Sequence, residues 1–182
     1  MTITTLKRPY YSMDVANAIV QHFITLKKPI ENQLLQKILY YEQCDYLRRK
    51  EEPLFSEAIY KWGYGPMLPT VYSYFKLYGA APITQTSDYL VTQTQNNKEQ
   101  WILIKPETRT LPATDQKLIF ALADEIAAQY RQEPFALVRK TRREPMWQKD
   151  YNAIKYDNMQ IAYDNQELIA YFQVPDHWPW AN

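Results

Sequence analysis

Apolar residues recur at helical spacing through two stretches near the start of the chain. Placed at about 100° per residue, Met13, Ala16, Ile19, Val20, Phe23 and Ile24 share one arc, with Asp14, Asn17 and Gln21 opposite. Ser12 stands where an N-cap is wanted, so the pattern predicts a first helix from there to about Lys27. After Pro29 a second helix is expected to begin near Glu31 or Asn32, with Leu34, Leu35, Ile38, Leu39, Tyr41 and Tyr46 as its apolar arc. Glu42 falls inside that arc and Cys44 on the opposite side. A buried unpaired carboxylate is expensive, so Glu42 is expected to pair with a neighbouring Lys or Arg.

The run Arg48-Arg49-Lys50-Glu51-Glu52-Pro53 breaks this helix, and a short helix is expected around Phe55 to Trp62. All three glycines of the chain then fall between Gly63 and Gly79. Gly63 and Gly65 bracket Tyr64, and Pro66 and Pro69 fix φ on entry to a third helix that Gly79 can close. Trp62-Gly63-Tyr64-Gly65-Pro66 therefore reads as a shaped structural corner feeding a helix. Val71, Tyr74, Phe75 and Tyr78 line one face of that helix, and Tyr72 and Lys76 point away from it.

Beyond Gly79 the pattern changes. Tyr89-Leu90-Val91-Thr92 and Trp101-Ile102-Leu103-Ile104 are β-branched and aromatic, and Gln95-Asn96-Asn97-Lys98 separates them as a turn, which predicts a hairpin over 88–104. Thr114 or Asp115 can cap a helix to about Arg131, in which Leu118, Ile119, Leu122, Ile126 and Tyr130 align. A short helix follows over Phe135 to Arg139. Asp164 and Glu167 have capping-box spacing ahead of a last helix through Phe172. The fold class is mainly α: a single compact helical domain over 1–182, with its core at about 12–172, a small inserted β-hairpin, and an aromatic tail over 173–182.

Composition narrows the function. The chain has 182 residues, 46% of them hydrophobic, enough for a core without disulfides. Mean hydropathy is −0.53 and no apolar run approaches the roughly 20 residues that span a bilayer. No signal peptide is evident at the N-terminus, and a single cysteine permits no internal disulfide, so a cytoplasmic address and no membrane partner are expected. A net charge of +1, from 21 basic and 20 acidic residues, gives no electrostatic footprint for nucleic acid. No Gly-rich phosphate loop is present.

Candidate chemistry is sparse. His22, His177 and Cys44 are too few and too scattered for a zinc site, and Cys44 lies mid-helix without a nucleophile elbow. No catalytic residue, cofactor site or metal site is assigned. The cluster Arg139-Lys140-Thr141-Arg142-Arg143 fits the cations favoured at a helix C-terminus, or a grip on an acidic partner. Tyrosine is the odd count, 16 against 6 phenylalanines, and eight of the sixteen lie between Tyr40 and Tyr78. Tyrosine suits half-buried and interfacial positions, so these residues either finish the rim of a small core or form a contact surface.

Several landmarks together resemble one family. They are Ala16-Asn17-Ala18-Ile19 with Phe23-Ile24, Leu35-Gln36-Lys37-Ile38-Leu39-Tyr40-Tyr41, Leu54-Phe55-Ser56-Glu57, Trp62-Gly63-Tyr64-Gly65-Pro66-Met67-Leu68-Pro69, and Phe75-Lys76-Leu77-Tyr78-Gly79. In order and spacing they resemble the Panacea-domain antitoxin family, which includes SocA-like and phage-associated GepA-like proteins. Leu137 to Trp147 and Leu168-Ile169-Tyr171-Phe172 look like its C-terminal part. The chain departs from the family pattern at Lys61, Glu42 and Arg142. The resemblance implies an antitoxin, not an enzyme, that neutralises a cognate toxin protein by binding it. The alternative it allows is a proteolysis adaptor that delivers a client to a host protease, with a protease or chaperone as a further partner. Interfaces lean on a few Tyr, Trp and Arg anchors, so the candidate partner contacts are Tyr72, Lys76, Trp178 and Trp180, joined by Glu42 and Arg142 as points of departure.

Overall fold

A computed structural model describes residues 3–95, 98–156 and 161–180. Strand β1 (Thr4–Thr5) precedes helices α1 (Ser12–Thr25) and α2 (Asn32–Lys50). Strands β2 (Tyr60–Trp62) and β3 (Gly65–Met67) lead into α3 (Pro69–Phe75). The hairpin β4 (Tyr89–Gln95) and β5 (Lys98–Ile104) follows, then β6 (Arg109–Thr110) and α4 (Ala113–Tyr130). The chain finishes with α5 (Pro134–Thr141), α6 (Pro145–Gln148), α7 (Tyr151–Lys155) and α8 (Asn165–Phe172). The strands form three separate two-stranded ladders, so the domain is mainly α, as expected.

Helix α2 is the axis of the fold. Every residue from Leu34 to Leu47 is buried, because α1, α3, α4, α5, α8 and β3 all pack around it. A helix enclosed on all sides has no solvent face for polar residues. The one-sided arc read from the pattern is thus too narrow, and Cys44, placed opposite it, is fully buried too. Three of the buried polar residues of α2, Gln36, Lys37 and Gln43, bind the backbone of what surrounds them, as buried polar groups usually do. Gln36 accepts from the Leu68 N–H at 2.9 Å, and Gln43 accepts from the N–H groups of Leu54 and Phe55 at 2.9 and 3.3 Å.

Helix α1 shows the same principle at its start. Ser12 is not the cap but the first helical residue, and its N–H and Oγ both donate to the Glu57 carboxylate at 2.8–2.9 Å. An anion from a distant loop therefore supplies what a local side chain was expected to supply. Asp14 and Asn17, expected on the open side, are buried. Asp14 takes a bidentate Arg109 at 2.7 Å and the Tyr89 hydroxyl at 2.7 Å, while Asn17 brackets the backbone of Ser87 at 2.9 Å.

Two further expectations are corrected. Pro112, not Thr114 or Asp115, occupies the cap of α4; Asp115 is instead buried, accepting the Tyr10 hydroxyl at 2.5 Å beside Arg8. The segment to Trp62 ends as a strand, not a helix. Tyr60, Lys61 and Trp62 pair antiparallel with Met67, Pro66 and Gly65, which sends Lys61 into the core between two half-buried aromatics. The remaining local signals hold. Pro69 opens α3, Gly79 ends the 3-10 turn after it at φ 56°, and the Asp164 side chain accepts from the Glu167 N–H at 2.9 Å to cap α8. The hairpin forms with Tyr89 opposite Ile104, although Asn96 and Asn97 at its tip lie outside the described residues.

Candidate partner-binding surface

The corner is a tight hairpin turned at Gly63-Tyr64 and clamped from beneath. Gly65 has φ 86°, and a Cβ there would stand 2.5 Å from Thr141 Oγ1 on α5 and 3.3 Å from Lys37 Cε on α2. Glycine is needed for both reasons. Lys37 donates from Nζ to the Pro66 carbonyl at 3.0 Å, and the Trp147 indole donates to the Trp62 carbonyl at 3.1 Å. Lys61 reaches Asp150 at 2.5 Å. The corner is thus pinned to α2, α5 and α6 at once.

Below it lies a buried ionisable cluster. Glu144, buried at the N-terminus of α6, accepts the hydroxyls of Tyr40 at 2.6 Å and Tyr41 at 3.5 Å. Burial pushes its carboxyl up to about 8, against the pull of the two tyrosines and Lys37. Burial pushes Lys37 down to about 7, with Glu144 opposing. Sequence reasoning missed this cluster. Its members belong to the Gln36-Lys37 and Tyr40-Tyr41 pairs and the Arg143-Glu144-Pro145 turn, but nothing local shows that they meet.

Several exposed aromatic side chains surround the corner. Tyr64 at its tip is 62% exposed and meets Phe135 of α5, itself 54% exposed, edge to face at 6.5 Å. Tyr72 on α3 meets the Trp62 ring at 5.5 Å. Arg142 lies over Trp147, its Cζ 4.9 Å from the ring centroid, and Tyr151 meets the same indole at 5.7 Å. A chain of contacts therefore runs from Tyr72 through Trp62 and Trp147 to Arg142. Lys76, exposed one helical turn beyond Tyr72, lies at its edge. Tyr64, read from the pattern only as structural, is both the turn and an exposed ring. Phe135 and Tyr151 carried no signal, since an aromatic in a short helix reads equally well as core.

The other three candidates lie elsewhere. Glu42 is 1% exposed, and the expected pair with Lys or Arg does not form, because Arg48 and Arg49 both go to Asp45. Its Oε1 has no hydrogen-bond partner, and burial pushes its carboxyl well up, toward the neutral acid. Trp178 and Trp180 fold back on the domain. Trp178 packs on Phe172 at 4.5 Å, Trp180 on Tyr41 at 5.5 Å, and the Pro179 carbonyl between them accepts from Tyr130 and Lys140 at 2.6 Å. We expect Trp178→Ala to lower stability by about 2–4 kcal/mol, read as a fall in the denaturation midpoint; an unchanged midpoint means that the tail does not cap the core.

Cys44 and the histidines are not brought together. Burial pushes the Cys44 thiol well up, while His22 bonds Asp124 at 2.8 Å and stacks on Phe120. Among the described residues no group of three or more His, Cys, Asp and Glu side chains could hold a metal, and no helix is long and apolar enough to cross a membrane.

The family model described as Antitoxin SocA-like, Panacea domain, matches residues 35–148, which include Lys37, Tyr40, Gly65, Pro66, Thr141, Glu144 and Trp147. This chain belongs to that family. It is similar to Antitoxin SocA of Caulobacter vibrioides (strain NA1000 / CB15N), at 37% identity over 65 residues, or 36% of this chain and 35% of that protein. The matched stretch thus spans about a third of that relative's length. No solved structure matches.

Proposed function

We propose that the chain is an antitoxin that neutralises a cognate toxin protein by binding it directly, without catalysis, through the aromatic face over the corner. The carrying observation is the joint placement of that face and the family motif. The buried motif residues hold the backbone of Trp62 and Pro66, so the turn that carries Tyr64 and the Trp62 ring that meets Tyr72 are placed by the fold itself. Rigid aromatic anchors lose little entropy on binding, and Arg142 over Trp147 adds a charge whose plane is already oriented. Tyr72 and Arg142 are the central contacts and Lys76 a peripheral one. Glu42, Trp178 and Trp180 act from within the fold, by shaping the helices and tail behind the face.

The test is co-expression with a neighbouring reading frame that is toxic alone, followed by affinity measurement. Tyr72→Ala and Arg142→Ala should each weaken toxin capture by about 2 kcal/mol, roughly 30-fold, with the melting temperature nearly unchanged. Full affinity and rescue after substitution of Tyr64, Tyr72, Phe135 and Arg142 together would move the interface elsewhere. Rescue that disappears in a host lacking a particular protease would favour the adaptor reading over direct neutralisation.

A further inference from the structure

The β4–β5 hairpin is an unfinished sheet. Its inner face, Tyr89, Val91, Ile102 and Ile104, packs on the core. Its outer face carries Leu90, Trp101 and Leu103, which are 47, 71 and 54% exposed. Leu90 sits directly opposite Leu103, and Trp101 opposite Thr92. The Leu90 N–H does not point at β5, since it donates to the Tyr74 hydroxyl at 2.8 Å. Antiparallel pairs either exchange both backbone bonds or neither, so the Leu90–Leu103 pair and those in phase with it direct their amides outward. The N–H and C=O groups of Glu99, Trp101 and Leu103 therefore face the outer edge of β5. Among the described residues no hydrogen bond occupies them. An open edge beside exposed apolar side chains is a template for strand addition.

The sequence along that edge is self-complementary. Antiparallel pairing of two copies about Ile102 sets residues whose numbers sum to 204 opposite one another. Trp101 of each copy then faces Leu103 of the other, and Glu99 of each faces Lys105 of the other. Both charged residues are exposed. Glu99, Trp101 and Leu103 keep the edge-facing phase within β5, while Lys105, just past its end with its carbonyl taken by the Thr108 N–H at 3.0 Å, would meet Glu99 through its side chain alone. Independently of the aromatic face above, we infer that the chain forms a two-fold dimer through β5, joining two hairpins into one four-stranded antiparallel sheet. Leu90, Trp101 and Leu103 of both copies then form one continuous apolar strip. Trp–Leu and opposite-charge pairs across neighbouring strands are each stabilising, and each occurs twice by symmetry.

Sedimentation equilibrium of the full chain without any toxin tests this, with circular dichroism confirming that each variant folds. The parent should dimerise in the micromolar range. Trp101→Lys, at an exposed position, should leave a folded monomer. Glu99→Lys sets like charges opposite each other at two places and should raise the dissociation constant about tenfold, and adding Lys105→Glu to it should restore the parent value. A parent that stays monomeric to about 100 μM, or a dimer indifferent to Glu99→Lys, overturns the inference. A monomeric parent whose toxin capture is abolished by Trp101→Lys also overturns it, by assigning this edge to the toxin.

Discussion

Replacing Gly65 by valine should remove about 3 kcal/mol of stability or more, while Gly63→Ala two residues away should change it by less than about 1 kcal/mol. Both glycines belong to the same corner, and the difference lies in what surrounds them. Gly65 combines φ 86° with a Cβ position 2.5 Å from Thr141 Oγ1 and 3.3 Å from Lys37 Cε. A β-branched side chain meets backbone strain, and Thr141 and Lys37 can yield only by giving up their own hydrogen bonds to Leu137, Val138 and Pro66. Gly63 is not at positive φ and has open space where its Cβ would be. Alanine there restricts the unfolded chain without disturbing the folded one. In a domain of this size the Gly65→Val loss corresponds to a melting temperature lower by roughly 10 °C, and it should weaken toxin capture as well, because Tyr64 and Trp62 lose their support. If both variants melt like the parent, the corner is not the anchor of the fold.

What the chain reveals locally and what it hides follow from the range of the interactions. The core side of α1, the start of α3 at Pro69, the β4–β5 hairpin and the Asp164 cap of α8 are set by neighbours within a few residues, so periodicity and turn chemistry find them. Helix α2 is different. Its polar residues look like interruptions until their partners are known, and those partners are far off in sequence: Pro66 for Lys37, Glu144 for Tyr40, Leu54 for Gln43. The strand at Tyr60–Trp62 escapes a reading by periodicity for a related reason, since three residues are too few to show a period and the partner strand lies across a two-residue turn. Of the candidate contacts, Tyr72 and Lys76 were legible from the outward side of α3 and Arg142 from its departure from the family pattern. Phe135 and Tyr151 became candidates only when α5 and α7 were folded beside the corner.

The other large effect concerns the cluster under the corner, and its sign depends on pH. Glu144→Ala should destabilise by about 2–4 kcal/mol, because it leaves the buried Tyr40 and Tyr41 hydroxyls without their acceptor. Glu144→Gln keeps an acceptor for those hydroxyls and removes only the titration. In the folded chain the carboxyl is raised from 4.5 to about 8, chiefly by burial. Between those values the folded state holds a proton that the unfolded state has released, so this group's contribution is intact below about pH 4.5 and is lost as pH rises toward 8. Lys37 runs the other way. Lowered by burial from 10.5 to about 7, it contributes fully above about pH 10.5 and loses that contribution as pH falls toward 7. Together the two groups depress stability most at pH 7–8. Denaturation midpoints of Glu144→Gln should therefore gain on the parent as pH rises from 5 to 8, and adding Lys37→Met should flatten the remaining dependence up to pH 10. The opposite trend, with Glu144→Gln falling behind the parent as pH rises, would mean that the folded chain holds Lys37 and Glu144 as a net stabilising ion pair. A corner anchored on the neutral forms is expected to keep its grip on Pro66 through the hydrogen bond from Lys37 and not through charge.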